Sequence, residues 1–513
     1  MRPFDRWGWL TALLLGALSA LAFEPVGVWP LMPFAFAALM ELLDRTKSLW
    51  RALLMGWMFG LGQFVLGFNW IATAFTFQTA MPAWLGWIAV VLLSMYLAIY
   101  PALAAAVAWK IGNRERIILA ITLAGAWAIT EWLRGTVFTG FAWNPVGVTL
   151  VPTPLVGTSA LIGTYGLSML VVLFGSVIWL GYYRKWLTPV VVVLVTALLW
   201  SLPASKVPEQ ALAVKPIRIV QPNIGQQDKW RPGFSDQSAA RLAALSAQPG
   251  PQRPRLLFWP EAAVTQPLQD QRTGPYPDLT QFERSRAAAS VAGGEYLLTG
   301  GIALKSEDGR TISGATNSVF IIGPGGQPLA RYDKAHLVPY GEYLPMRPLL
   351  SSIGLSRLAP GDVDFASGPG PRTVRLAGWG KVGFQLCYEI IFSGQVVDRR
   401  NRPDFIFNPS NDAWFGRWGP PQHLAQARLR AAEEGIPVIR STPTGISAVI
   451  DARGKIVEQL AWRTAGVIDT TLPPPAANVT LFGKFGNLIP LLLALALIIG
   501  SIALSRTERY RGT

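Results

Sequence analysis

The chain has 513 residues, 51% of them hydrophobic and only 15% charged, a balance that excludes an ordinary soluble protein and allows more than one domain. The net charge of +15 is not read as a nucleic-acid signal, because the cations collect in short loops between apolar runs. A single cysteine excludes an internal disulfide.

In chain order, apolar runs at 8–24, 27–43, 52–73, 84–109, 117–134, 155–183 and 187–203 predict seven spans, and 485–505 predicts another, since about 20 apolar residues cross the hydrocarbon core. The first two are short and share a Pro-Val-Gly-Val-Trp-Pro connection. Arg2 and Arg6 ahead of an apolar stretch imitate a signal peptide, but a second apolar segment follows closely, so the first run reads as a retained span. One set of loops carries Arg2, Arg6, Arg45, Lys47, Arg51, Lys110, Arg114, Arg116, Arg184 and Lys185, and the tail carries Arg506, Arg509 and Arg511. The alternate loops, 25–26, 74–83 and 135–154, hold no Lys or Arg, and Arg134 lies at an edge one turn from Glu131. This asymmetry predicts about eight crossings, both termini cytoplasmic and 204–484 outside.

The outer segment differs in kind. Residues 205–216 read as a linker, 217–472 as a catalytic domain, and 473–513 as a return segment, last helix and tail. Strand-like runs at 217–221, 255–259, 296–304, 317–322, 382–386, 404–408, 437–441 and 446–451 alternate with helix-like stretches such as 236–246, 281–291 and 421–434. That alternation predicts an α/β domain with buried sheets.

Three strand-like stretches end on reactive groups: Glu261 after Phe258-Trp259-Pro260, Lys334 in Tyr332-Asp333-Lys334-Ala335-His336-Leu337, and Cys387 after Gln385-Leu386. A thiol attacks as thiolate and needs a base or a cation beside it. Glu261, at a strand end in a partly dry pocket, is the candidate base; Lys334 and the Tyr388 N–H are candidate oxyanion donors. Taken singly, a core cysteine, a solvated acid and a surface lysine are the ordinary readings. The case rests on the three together.

Trp259-Pro260-Glu261, the long block from Tyr332 through Gly341-Glu342-Tyr343-Leu344-Pro345, and Cys387-Tyr388-Glu389 resemble the three signature blocks of the nitrilase superfamily. The long block between spans, with Asn408-Pro409-Ser410-Asn411-Asp412-Ala413-Trp414-Phe415, is similar to the apolipoprotein N-acyltransferases of Gram-negative inner membranes. The resemblance implies an αββα sandwich with Glu261 as base, Lys334 as oxyanion stabiliser and Cys387 as nucleophile. Cys387 would take the sn-1 acyl chain of a phospholipid, typically phosphatidylethanolamine. It would pass the chain to the α-amine of an S-diacylglyceryl-cysteine at a lipoprotein N-terminus. It also implies a monomer without a cofactor and a periplasmic catalytic domain.

Glu342 is placed to pair with Lys334. For Glu389 two readings stay open, a brace for the loop after the nucleophile and a structural salt bridge. Tyr388 and Trp230 match family positions tied to function, yet on sequence alone both read as packing aromatics. The apolar stretch from Tyr343 and Pro345 to Leu358 reads either as a lid dipping into the outer leaflet or as a buried loop, and Trp414, Phe415 and Trp418 share the first reading. His336 and His423 stand far apart and without clustered cysteines, so no metal site is expected. No glycine-rich phosphate loop follows a strand. Two rivals remain: a membrane-tethered amidase, and a transporter or receptor with an inert outer domain, which predicts ionisable groups deep in the spans.

Overall fold

The computed structural model describes residues 3–77, 81–202, 208, 215–229, 231, 233–250, 253–352, 354, 356–358 and 363–511. Apolar sequence with few breakers yields helices first: α1 (Pro3–Ser19), α2 (Leu31–Asp44), α3 (Leu49–Gly67), α4 (Trp70–Ala74), α5 (Leu85–Leu97), α6 (Ile99–Gly112), α7 (Arg116–Arg134), α8 (Ser159–Tyr182) and α9 (Leu187–Ser201). Small residues let their backbones touch. A Cβ on Gly62 would stand 2.0 Å from the Leu13 oxygen, and one on Gly16 would stand 1.9 Å from the Phe59 oxygen, so α1 and α3 can pack this closely only through glycine.

Among the described residues, five helical stretches are long and apolar enough to cross a membrane: Leu49–Gly67, Leu85–Gly112, Arg116–Arg134, Pro154–Tyr182 and Leu488–Thr507. The runs expected at 8–24, 27–43 and 187–203 fold as shorter helices of 17, 14 and 15 residues. The ionisable pair near the end of α7 is enclosed by protein: Glu131 accepts from the Val146 N–H at 2.8 Å and the Ser168 hydroxyl at 2.5 Å, and Arg134 donates to the Phe141 and Trp143 carbonyls at 3.0 and 2.9 Å. The pair thus holds the 141–146 loop in place.

The remaining elements are β1 (Pro216–Gln221), α10 (Gln226–Lys229), α11 (Phe234–Ala247), β2 (Leu256–Phe258), β3 (Pro267–Asp270), α12 (Tyr276–Ala287), β4 (Tyr296–Lys305), β5 (Gly314–Ile322), β6 (Pro328–Asp333), α13 (Arg347–Ser352), β7 (Thr373–Leu376), β8 (Gly380–Phe384), β9 (Phe405–Pro409), α14 (Gly419–Glu434), β10 (Val438–Ser441), β11 (Ala448–Ile450), β12 (Ile456–Gln459), β13 (Gly466–Thr471), α15 (Leu481–Phe485) and α16 (Leu488–Arg511). One sheet runs β13-β1-β2-β4-β5-β6 with β3 beside β4, and the other runs β12-β11-β10-β9-β8-β7. The central pairs β1–β2, β2–β4, β8–β9 and β9–β10 are parallel, and antiparallel strands flank them. Their apolar faces meet: Phe258 lies 5.0 Å from Phe407 and Tyr332 stacks 5.5 Å from Phe384. Helices α11 and α12 cover the first sheet.

Helix α14 is buried on both sides. Leu424, Ala427 and Ala431 share a core with Ile406, Val438 and Ile450 of the second sheet and with Phe64, Trp70 and Trp143 of the helical bundle. Polar ties cross the same junction. Trp143 donates to Gln422 at 2.8 Å, the Thr164 N–H and hydroxyl both donate to Glu433 at 2.5 Å, and Arg430 pairs with Glu433 at 2.7 Å.

Strands β3, β7, β12 and β13 are absent from the sequence expectation, which marks β6 only by the lysine at its end. They are edge or polar strands whose half-exposed residues break the apolar run, as in Ile-Val-Glu-Gln of β12. The strand expected at 382–386 ends at Phe384; the Gln385 N–H still bonds to Phe407 at 3.0 Å, and Cys387 then opens a 3-10 turn. Most of the expected linker at 205–216 lies outside the described residues, and Pro216 is already the first residue of β1.

Candidate active site

Parallel strands β2 and β8 deliver two of the three side chains beyond their carboxyl ends, where ladder bonding stops and the backbone turns away, and the third follows the antiparallel edge strand β6. Glu261 stands three residues past β2. The turn presses its backbone against β4, where a Cβ on Gly300 would come within 2.6 Å of the Glu261 Cα. Lys334 follows β6 directly, fixed by its N–H to the Asn317 carbonyl at 2.9 Å and by its own carbonyl, which accepts from Gly368 at 2.7 Å. Cys387 lies three residues past β8 with φ at 51°, a left-handed conformation costly for a residue with a Cβ and common at functional turns.

All three side chains are buried, Glu261 at 6%, Lys334 at 0% and Cys387 at 5% exposure, and the Glu261 and Lys334 charges both act on the Cys387 thiol. Lys334 Nζ stands 2.9 Å from Glu342 and 4.0 Å from Glu261. Asn317 donates from its amide to both carboxylates, 2.8 Å to each. Glu342 also accepts from the Val338 N–H at 2.8 Å, so it is anchored independently of the lysine. Among the described residues, Glu261 Oε2 accepts no hydrogen bond.

The electrostatics follow from burial in company. Burial raises the Glu261 pKa, and Glu342 adds to this, while Lys334, Asn317 and Lys229 pull against it. Burial pulls Lys334 down, but the Glu342, Glu261 and Cys387 charges outweigh it and hold the ammonium protonated. Burial pushes the Cys387 thiol well up, with Glu261 adding; Lys334 and the Asn411 N–H act in the other direction.

Glu389 joins two arms of the site. One carboxylate accepts from the Tyr332 hydroxyl at 2.8 and 3.0 Å, the Ala335 N–H at 2.7 Å, the His336 N–H at 3.0 Å and the Leu386 N–H at 2.7 Å. It braces the loop through backbone donors.

The other expected site residues are arranged differently. Tyr388 is buried against Phe392 and His336, with its hydroxyl 3.4 Å from the Gly140 carbonyl. Tyr343 and Pro345 are half-buried in a turn closed by the Tyr340 N–H on the Tyr343 carbonyl at 2.8 Å. Beyond it Met346 and Leu349 are 65% and 60% exposed. Trp414 packs on Phe77 at 5.9 Å, and Phe415 lies against Trp70 at 4.7 Å and Trp143 at 5.4 Å. Both rings are half-buried and pack on the helical bundle, which offers them aromatic partners. Trp230 lies outside the described residues.

Sequence reasoning missed Asn317 and Lys229. The signal for Asn317 was a lone amide opening the apolar run Val319-Phe320-Ile321-Ile322. Lys229 is buried with its amine 3.4 Å from the Glu261 carbonyl, and burial lowers its pKa to about 8.

Residues 217–479 match the carbon-nitrogen hydrolase family, and residues 15–177 match the apolipoprotein N-acyltransferase N-terminal domain. An apolipoprotein N-acyltransferase of Rhodopseudomonas palustris is 35% identical over 98% of this chain and 96% of its own length. Another, of Bradyrhizobium diazoefficiens, is 35% identical over 96% of this chain and 95% of its own. Among solved structures, a carbon-nitrogen hydrolase of Helicobacter pylori aligns at 14% identity and a TM-score of 0.34, covering 50% of this chain and 89% of that one.

Proposed function

The chain belongs to the apolipoprotein N-acyltransferases, a membrane branch of the carbon-nitrogen hydrolases, and we propose that Glu261, Lys334 and Cys387 carry its acyl transfer. Glu261 takes the thiol proton, and the sulfur attacks the sn-1 ester carbonyl of a phospholipid, phosphatidylethanolamine in the first instance. Negative charge builds on the carbonyl oxygen, facing the Lys334 ammonium and the Tyr388 N–H. The glycerol C–O bond breaks, Glu261 returns the proton to the departing alkoxide, and a lysophospholipid leaves a thioester on Cys387. The α-amine of the lipoprotein's diacylglyceryl-cysteine then attacks the thioester. Glu261 accepts the amine proton, the C–S bond breaks, and the thiolate is reprotonated. Both lipids use one pocket in turn, without a cofactor.

The observation that carries this reading is a fully buried ammonium shared by two carboxylates beside the chain's only thiol. An ammonium so held is a fixed charge that needs no reorganisation when an oxyanion forms. Glu342 and Asn317 keep it in place; Tyr388 and Glu389 shape the turn; Tyr343 and Pro345 lead into the exposed Met346–Leu349 edge, read as the lid that meets acyl chains. Trp230 is assigned to substrate contact by family likeness alone. The chain is divided as 1–204, 205–216, 217–472 and 473–513, with eight crossings of the inner membrane, both termini cytoplasmic, the catalytic domain periplasmic and the protein monomeric.

Intact-mass analysis after incubation with phosphatidylethanolamine vesicles tests the donor half-reaction. The expected result is one hydroxylamine-labile acyl group on Cys387, absent in Cys387→Ala, and formed about 10²–10³ times more slowly in Lys334→Met. Acyl transfer to a diacylglyceryl peptide that survives in Cys387→Ala would overturn the proposal. Release of ammonia from small amides without acylation by phospholipid would favour the amidase.

A further inference from the structure

His423, on α14, is wholly buried directly behind the nucleophile. Its Nε2 lies 3.1 Å from the Cys387 carbonyl oxygen. A carbonyl only accepts, so Nε2 carries the proton there. The other ring nitrogen, Nδ1, lies 3.0 Å from Arg440 Nη2 and 2.9 Å from Asp412 Oδ1. Arg440 Nη2 reaches both Asp412 oxygens, at 2.8 and 2.6 Å, and its Nη1 is tied to Asn408 at 2.5 Å and Ser410 at 2.9 Å. Burial and the Arg440 charge outweigh Asp412 and hold the His423 pKa below its ordinary value, and Nε2 donates to the Cys387 carbonyl whether or not Nδ1 also carries a proton.

The Cys387 carbonyl and the Tyr388 N–H are opposite ends of one planar trans peptide, so they point in opposite directions. A donor fixed on the oxygen fixes the direction of the N–H and polarises it. Tyr388 lies in the first turn of the 3-10 segment Cys387–Ile391, where N–H groups lack a partner within the helix. Among the described residues no other acceptor takes its N–H. We propose that His423 is a positioning residue, holding the Cys387–Tyr388 peptide so that the Tyr388 N–H faces the oxyanion of each tetrahedral intermediate. The role rests on Cys387 being the acylated nucleophile.

Two rates on purified full-length protein separate this role from a scaffolding one. Acyl-enzyme formation from phosphatidylethanolamine vesicles passes through an oxyanion; alkylation of Cys387 by iodoacetamide does not. In His423→Phe, which keeps ring volume and lacks a donor, acylation is expected to fall about 10- to 100-fold, with alkylation within threefold and half-saturating phospholipid little changed. His423→Gln, whose amide reaches toward the Nε2 position, is expected to recover most of the acylation rate, and the shorter His423→Asn is not. Unchanged acylation in His423→Phe, or acylation and alkylation falling together, overturns the proposal. If His423→Phe fails to fold, equal acylation by the Gln and Asn variants overturns it. Wild-type protein that alkylates but never acylates at Cys387 would instead remove the nucleophile reading on which the role rests.

Discussion

Glu261 and Cys387 are each made less acidic by being buried together, so each reports on the other. A general base acts only when deprotonated. Because burial raises the Glu261 pKa, the acylation rate is expected to climb with pH through a midpoint above the ordinary glutamate value of about 4.3. Iodoacetamide reads the thiolate directly. Burial and the Glu261 charge both raise the Cys387 pKa, so removing that charge lowers it. In Glu261→Gln the alkylation midpoint should therefore move to lower pH while acylation falls about 10²–10⁴-fold. An upward or absent movement would mean that the carboxylate and the sulfur do not share a pocket. The same two residues were legible in the chain as strand-end groups. Asn317 was not, because a single amide gives no sign of which carboxylates it will bridge across strands.

At the scale of elements, Glu389 fastens the end of β6 to the turn after β8 through one carboxylate. Glu389→Gln replaces an acceptor oxygen with a donor that faces backbone N–H groups and leaves at least one of them unpaired in a dry site. The expected cost is about 2–4 kcal/mol, since donors to a buried charge are worth roughly twice neutral ones. Thermal unfolding in detergent should show a clear drop in midpoint, and Cys387 acylation should fall with it. A variant as stable and as active as wild type would reduce Glu389 to a bystander. The sequence allowed two readings of this residue because a glutamate beside a turn pairs equally well with a cation or with backbone donors; only the return of the 335–336 backbone decides between them. The buried strands β1, β2, β4, β5, β9 and β10 were readable because each carries buried apolar residues in succession, such as Leu256-Leu257-Phe258 in β2 and Val319-Phe320-Ile321-Ile322 in β5. Edge strands such as β12 carry no such mark. The junction between α14 and the bundle was also hidden, because Gln422, Arg430 and Glu433 look like the wet face of an amphipathic helix.

At the scale of the whole molecule, one short helix fixes the side on which the chemistry happens. If only the five full-length helices crossed, α9 would stay at the surface, and the catalytic domain would share a side with the loop at Arg114. If α9 crosses, the domain stands opposite that loop. Contacts favour the crossing. The domain docks on the 140–151 segment between α7 and α8, where Trp143 meets Gln422 and Arg428 donates to the Val151 carbonyl at 3.3 Å. One span, α7, separates that segment from Arg114. A helix of 15 residues rises about 22 Å, short of a hydrocarbon core of about 30 Å, a gap that local thinning or interfacial residues such as Trp186 and Trp200 can close at modest cost. Cys387 is the only native cysteine, so Cys387→Ala gives a clean background for Glu307→Cys on the catalytic domain and Arg114→Cys on the loop. An impermeant maleimide applied to spheroplasts should label the first at once and the second only after the membrane is opened. Equal labelling of both before permeabilisation would place domain and loop on one side, remove α9 from the membrane and reduce the count of crossings.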